Sequence, residues 1–521
     1  MITETASGAV RGAENDGVVS FKGIPYGDDT GGDARFLPPR PAPAWSGVRD
    51  CLTYGPSCPQ PSSEEVTGAS RPIDMERMTG IWNYERQLGE DCLVLNVWAP
   101  TGAVGAPGAG ARRPVLVWLH GGAFTIGSAS WPLYDFTNLA RNNDVVMVGV
   151  NHRIGALGFL DLSHLGDEFA DSANAGMLDI VAALEWVRDN IAAFGGDPSN
   201  VTIFGESGGG AKVSVLLAMS AARGLFHRAF AMSGAFLDCM PPAESRELTD
   251  LTLQLTGLAD VTDDAAVDAL RKLDVMTLVN SQLSHPLGLR AITEMRGRFS
   301  PARCPSLPRD PVDAIADGSA ADVRVALGCT THELEPFLGT PEVWSADDTF
   351  LMGRLRGFLG DDTDHVLTAY RSAQPDDSLV SLYLLIASDH AFRIPTVRIA
   401  EALLAGGGLP PYVYLYAFGR RSPDGVVRAG HGSDMWYFFD NVSVGPAFDG
   451  PHAAPLVQAM AGSLVALARQ GDPNHQGLAT WPPYDTTNRP TMIFDVESRV
   501  EPDPMGAERR AWQDIVTVGL G

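Results

Sequence analysis

Apolar residues along this chain fall into short runs separated by polar stretches, not into long alternating or heptad patterns. Two such runs are Cys92-Leu-Val-Leu-Asn-Val-Trp98 and Pro114-Val-Leu-Val-Trp-Leu-His120. Both are apolar enough to be covered on both faces, as strands of a parallel sheet are. Runs of the same kind at residues 145–151, 201–204, 229–233, 323–329 and 412–418 are read as further buried strands. Between two of them the period changes. Met177, Leu178, Val181, Leu184, Val187 and Ile191 recur at helical spacing, with Asp179, Glu185, Arg188 and Asp189 between them, and Phe194-Gly-Gly-Asp-Pro198 stops the helix. Strands alternating with helices predict an α/β fold: a mostly parallel central sheet covered by helices. Residues 99–114, a Gly/Pro/Ala-rich stretch, separate two strands and are read as a loop, while residues 240–320 read as helix-rich. With no internal repeat, the chain is expected to be one domain over residues 1–521.

Composition narrows the function. The 521 residues carry 38 basic against 63 acidic side chains, a formal net charge of −25. Such a chain repels a phosphate backbone, so no nucleic-acid partner is expected. No stretch approaches the roughly 18 apolar residues of a membrane span. The N-terminus lacks a basic and then apolar leader, which predicts a cytoplasmic protein without membrane attachment, as monomer or homodimer. Six cysteines in so long a chain make no disulfide framework, and none lies in a CxxC arrangement that would bind zinc. Basic residues are almost all arginine, since Lys22, Lys212 and Lys272 are the only lysines.

The most informative segment is Val201-Thr-Ile-Phe-Gly-Glu-Ser-Gly-Gly-Gly210, in which an apolar strand runs through a GxSxG into a probable helix from about Gly210. A serine on so tight a strand-to-helix turn sits in a strained backbone conformation, and side chains at the flanking glycines would collide with neighbouring elements. Ser207 is thereby exposed above the sheet as a candidate nucleophile, with a helix N-terminus to favour developing negative charge. A second Gly-rich loop, His120-Gly-Gly-Ala-Phe124, follows its own strand. Backbone N–H groups of Gly122, Ala123 and Gly208 would together form a three-pronged oxyanion hole. His120 is read as a residue that fixes this loop.

These motifs resemble the carboxylesterase type B/cholinesterase family of the α/β-hydrolase fold, over nearly the whole chain. Phe21-Lys-Gly-Ile-Pro-Tyr26, Arg35-Phe-Leu-Pro-Pro39 and Tyr54-Gly-Pro-Ser-Cys-Pro-Gln60 are similar to its N-terminal blocks, and Glu90-Asp-Cys-Leu-Val-Leu-Asn96 to its EDCLYLN signature. Residues 190–209 follow NIxxFGGDPxNVTxFGESAG almost residue by residue. In the elbow Gly209 followed by Gly210 is read as standing where the family has Ala-Gly, a sterically mild change, and Ala123 replaces the third glycine of HGGG. The resemblance implies a Ser, Glu, His triad in that chain order. Leu327-Gly-Cys-Thr-Thr-His-Glu333 supplies Glu333 as the acid, with Glu335 as a nearby competitor, and Arg428-Ala-Gly-His-Gly-Ser-Asp-Met435 supplies His431 as the base beside Asp434.

The implied chemistry is hydrolysis of small to medium carboxylic esters through an acyl-enzyme, with a small-molecule ester as partner and no metal or organic cofactor. Cys58 and Cys92 match the family's first disulfide, and remain free thiols if the compartment is reducing. Trp82, ten residues before Cys92, and Glu206, beside the nucleophile, stand where cholinesterases bind a quaternary ammonium; the alternative for Trp82 is plain packing. Phe124 and Phe337 are further substrate-binding candidates. Alternatives with the same triad are a carbamate or aryl-amide hydrolase and a choline-ester hydrolase. A non-catalytic binding protein on this fold is the reading of a different class, and an intact Ser207, Glu333 and His431 speak against it.

Overall fold

The computed structural model describes residues 1–61, 87–104, 112–284, 299–421, 425, 427–443, 450–515 and 517. Among these, eleven strands form one sheet: β1 (Ala13–Asn15), β2 (Val18–Pro25), β3 (Val94–Pro100), β4 (Arg113–Leu119), β5 (Val146–Val150), β6 (Gly196–Glu206), β7 (Arg228–Met232), β8 (Arg324–Thr330), β9 (Tyr412–Tyr416), β10 (Pro490–Phe494) and β11 (Arg499–Pro502). Their spatial order is β11-β10-β9-β8-β7-β6-β4-β5-β3-β2-β1. The centre, from β5 through β4 and β6 to β10, is parallel; β11 at one edge and β3, β2 and β1 at the other pair antiparallel. Residues 2–5, 8–11 and 48–50 form a separate three-stranded sheet.

The continuous apolar runs are explained by burial on both faces. Along β4, Val115, Val117 and Leu119 enter one core while Leu116 and Trp118 enter the other. On β6 and β7, Val201, Ile203, Ala229 and Ala231 divide in the same way from Phe204, Phe230 and Met232. Successive side chains of a strand point to opposite faces, so a strand with helices on both sides must be apolar at every position. The helices Ala175–Asn190 and Gly208–Ala218 cover the first face, and Ala453–Gln470 covers the second through Leu456, Met460, Leu464 and Leu467. An aromatic cluster fills the second core, where the rings of Trp118 and Phe439 lie 4.8 Å apart and those of Trp118 and Phe204 5.0 Å.

Each expected buried strand is present, with shifted ends. The strand expected over 201–204 begins at Gly196, because Arg113 already pairs with Gly196 before the register shifts and Val115 pairs with Val201. The predicted helix runs Ala175–Asn190 and tightens into a 3-10 turn, Ile191–Phe194, that ends at Gly195 in the left-handed region (φ 82°). A side chain there would also strike Ala103 at 2.6 Å, so glycine is required twice over. The antiparallel strands β1, β2 and β11 and the small N-terminal sheet lack such long apolar runs and have no counterpart in the sequence reading. Residues 240–320 hold the helices Pro242–Leu255, Asp263–Lys272, Val275–Ser281 and Pro311–Ala316. Among the described residues, no helix is long and apolar enough to cross a membrane.

One buried ion pair ties the loop after β5 to the helix Ala175–Asn190. The Arg153 guanidinium donates from Nε to Asp179 Oδ2 at 2.8 Å and from Nη2 to Oδ1 at 2.6 Å, and its Nη1 donates to the Leu37 carbonyl at 2.7 Å. Asp179 Oδ2 also accepts the Arg153 backbone N–H at 3.0 Å, and both side chains are buried. Asp179→Ala would strand a guanidinium in the core. The expected loss is about 3–5 kcal/mol of stability, read as a lowered urea midpoint against the unmodified protein.

Candidate active site

The loop bearing Gly122 and Ala123 and the elbow bearing Ser207 both leave the C-terminal ends of central parallel strands, β4 and β6. Ser207 lies between the last residue of β6 and the helix Gly208–Ala218, with φ 57° and ψ −125°. That strained conformation is held by the Ser207 N–H donating to the Met232 carbonyl at 2.9 Å and by the Ser207 carbonyl accepting from Ala211 N–H at 2.9 Å. The glycines around it are a consequence of contact. A Cβ at Gly205 would meet the Gly209 backbone at 2.4 Å, and one at Gly209 would meet the Leu119 carbonyl oxygen at 2.0 Å. A Cβ at Gly208 would come within 2.1 Å of the Ala123 carbonyl oxygen and 2.5 Å of its nitrogen. The glycine that stands for the pattern's alanine is thus Gly208, one position before the Gly209 of the sequence reading, and a methyl there would strike the Ala123 backbone.

The facing loop is itself wound tightly, with Gly122 at φ 91° and Ala123 at φ 53°. His120 Nδ1 donates to the Gly121 carbonyl at 2.8 Å, and the Gly122 carbonyl accepts from Ile126 N–H at 3.1 Å. Each bond holds a peptide unit whose other end is the N–H of Gly122 or Ala123.

His431 follows the short ribbon Arg420–Arg421/Val427–Arg428, and Glu333 follows β8. The two loops are laced together, as His332 N–H donates to the Ala429 carbonyl at 2.9 Å. Glu333 is fully buried; its Oε1 accepts from Ser233 Oγ at 2.5 Å and from Thr330 N–H at 2.6 Å. Its Oε2 lies 2.5 Å from His431 Nδ1, which fixes the imidazole with Nε2 turned toward the elbow. Nε2 is 3.2 Å from Oε1 of Glu206, the residue before Ser207. Glu335, the competing acid, begins the short helix Glu335–Leu338.

The electrostatics around His431 are unusual for so buried a group. Burial alone pushes its pKa down, but the carboxylates of Glu206 and Glu333 outweigh that and raise it to about 9. Burial pushes Glu206 up to about 8, against the lowering effect of His431. Asp434 is pushed up to about 7 by burial and the charge of Glu333, and Tyr414 donates its hydroxyl to it at 2.9 Å.

Aromatic rings border the imidazole. Phe337 lies 5.3 Å from it, centroid to centroid, and Phe392 5.0 Å. Phe392 has no counterpart in the sequence reading: it sits in a π-helical turn, Asp389–Arg393, which has no signature in hydrophobic spacing. Phe124 is buried with its ring against Phe159 and Phe236, at 5.2 and 5.6 Å. Trp82 lies outside the described residues. Cys58 and Cys92 are both buried and unbonded, and the hydrogen bond between them, together with burial, pushes the Cys92 thiol well up. The chain beside them is held by main-chain bonds: Ser57 N–H donates to the Gln87 carbonyl at 2.8 Å, and Gly89 N–H to the Ser57 carbonyl at 3.0 Å. Gln60 clamps Gly127 from both sides, accepting its N–H at 2.8 Å and donating to its carbonyl at 2.9 Å.

A serine on a strand-to-helix elbow, beside an imidazole held by a buried carboxylate, is the arrangement with which α/β enzymes carry out acyl transfer. The chain belongs to the carboxylesterase family, whose sequence profile matches residues 1–512. It is 32% identical to the para-nitrobenzyl esterase of Bacillus subtilis (strain 168) over 98% of both chains, and 33% identical to the phenmedipham hydrolase of Pseudarthrobacter oxydans over 95% of both. Among solved structures, a carboxylesterase from Geobacillus stearothermophilus superposes with a TM-score of 0.83 at 34% identity, covering 98% of this chain and 100% of its own. The fold is that of the α/β-hydrolases, and the protein is a carboxylic ester hydrolase.

Two outcomes follow from the geometry. An imidazole must be neutral to accept a proton, so with His431 as the expected base activity should rise as pH passes upward through its pKa. Glu206→Gln removes the negative charge 3.2 Å from Nε2, and the rising limb of the kcat/KM profile should move to lower pH by about one unit. Gly208→Ala should cost about 10²-fold in kcat, since the loop bearing Ala123 must retreat; steady-state kinetics on purified, folded variant checks it.

Proposed function

We propose that the chain hydrolyses small to medium carboxylic esters through an acyl-enzyme on Ser207. His431 accepts the Ser207 proton as Oγ attacks the carbonyl carbon, and Glu333 holds the Nδ1–H tautomer and stabilises the imidazolium. The tetrahedral oxyanion is received by the N–H groups of Gly122, Ala123 and Gly208. Collapse breaks the ester C–O bond, and His431 gives its proton to the leaving alkoxide. Water then repeats the sequence on the acyl-enzyme, releasing the acid and restoring Ser207. Phe337 and Phe392 supply apolar wall against which acyl or alcohol groups can pack. The observation that supports this reading is the continuous bonding from Ser233 and Thr330 through Glu333 to His431, whose Nε2 lies 3.2 Å from Oε1 of Glu206, the residue before Ser207.

The similarity to the phenmedipham hydrolase favours a second reading, in which the same residues cleave carbamates or aryl amides. Phenmedipham therefore belongs on the substrate panel beside p-nitrophenyl acetate and butyrate.

Ser207→Ala should lower turnover of both p-nitrophenyl esters by about 10³-fold or more, with an unchanged circular-dichroism spectrum and melting temperature. Unchanged turnover would remove Ser207 as nucleophile.

A further inference from the structure

Lysine is rare in this chain, with three residues among 38 basic side chains, and one of the three, Lys212, is completely buried. It stands on the helix Gly208–Ala218, just over one turn after Ser207. Its Nζ donates to the His120 carbonyl at 2.9 Å and to the Ala123 carbonyl at 3.0 Å. The same ammonium lies 5.4 Å from the centre of the Phe124 ring. Desolvation is the sole cause acting on its ionisation and lowers it to about 7. An ammonium taken out of water with carbonyl dipoles as its bonded partners is a costly placement, and hydrophobic residues of similar length would fill the same space.

The two carbonyls that Lys212 grips are not arbitrary. They bracket the segment whose N–H groups are the candidate oxyanion donors. The Gly122 N–H belongs to the peptide that follows Gly121, and the Ala123 N–H to the peptide that follows Gly122. The carbonyls of those two inner peptides are already held, the first by His120 Nδ1 and the second by Ile126 N–H. The carbonyls on either side, of His120 and Ala123, are the ones Lys212 holds. All four peptide units of the loop are thus fixed in rotation, two of them by one side chain rooted in the nucleophile's own helix. The Ala123 carbonyl is also the atom that a methyl at Gly208 would strike at 2.1 Å. Lys212 therefore holds the loop at one of the two points where it lies closest to the elbow.

We propose that Lys212 is a positioning residue for ester hydrolysis: by clamping the His120 and Ala123 carbonyls to the helix behind Ser207, it aims the Gly122 and Ala123 N–H groups at the oxyanion. This rests on the reading of Gly122, Ala123 and Gly208 as the oxyanion hole. Released from the clamp, the donors remain in the chain but lose their aim, so the transition state suffers and ground-state binding does not.

The test compares p-nitrophenyl acetate with its thiono counterpart, in which C=S replaces C=O. Sulfur is a poor hydrogen-bond acceptor, so an oxyanion hole accelerates the oxygen ester far more than the sulfur one. Enzyme concentration is set by the p-nitrophenol burst, so that only competent sites are counted. Lys212→Met should lower kcat for the oxygen ester by about 10- to 100-fold with KM within about twofold, and reduce the oxygen-to-sulfur rate ratio by about tenfold or more. Lys212→Gln, which keeps an N–H donor without the charge, should recover part of both. Equal losses on the two esters, or no loss, would overturn the proposal. Should Lys212→Met not fold, Lys212→Gln decides alone: a rate ratio equal to that of the unmodified protein overturns it. An unmodified enzyme that hydrolyses both esters at rates matching their relative reactivity with hydroxide would instead overturn the oxyanion-hole reading itself.

Discussion

Everything at this site depends on two stretches of main chain touching with no side chain between them. The loop after β4 and the elbow after β6 approach until the Leu119 and Ala123 carbonyls rest on Gly209 and Gly208. Only glycine permits that distance. The parallel neighbours β4 and β6 bring the two turns together at their C-terminal ends, and the helix Gly208–Ala218 fixes the elbow from behind. The strained φ and ψ of Ser207 are tolerated because the hydrogen bond it donates to Met232 and the one it accepts from Ala211 determine the backbone on both sides of it.

A second constraint is electrostatic. Glu333, Glu206 and Asp434 are all buried within reach of one imidazole. Three full negative charges around a single His431 would repel one another strongly, and burial opposes each of them. Glu206 and Asp434 respond by holding their protons more tightly than usual. Glu333 is bonded to Ser233 and Thr330 on one oxygen and to His431 on the other, so it is the carboxylate that fixes the orientation of the ring.

What could be read from the sequence was whatever leaves a local trace. Strands buried on both faces announce themselves by unbroken apolar runs, and the elbow and its facing loop by glycines that close contact requires. The sequence pattern named Ser207, Glu333 and His431, and the fold brings the latter two into contact beside the elbow. The edge strands such as Arg499–Pro502 were not legible, because exposure on one side removes the apolar run. Phe392 was not legible because a π-turn, which aims its ring at His431, has no fixed spacing. Lys212 could be counted but not interpreted: its partners are carbonyls contributed by residues about ninety positions away. Steric judgement also failed at Gly208, where a methyl would strike the backbone of residue 123 in a loop that the local pattern does not place against it.

The pairing of Ser57 with Gln87 and Gly89, and of Gln60 with Gly127, fastens the chain beside Cys58 and Cys92 through main-chain and amide hydrogen bonds. These anchors are main-chain and amide hydrogen bonds, which form without an oxidant or an isomerase, so they depend on neither thiol.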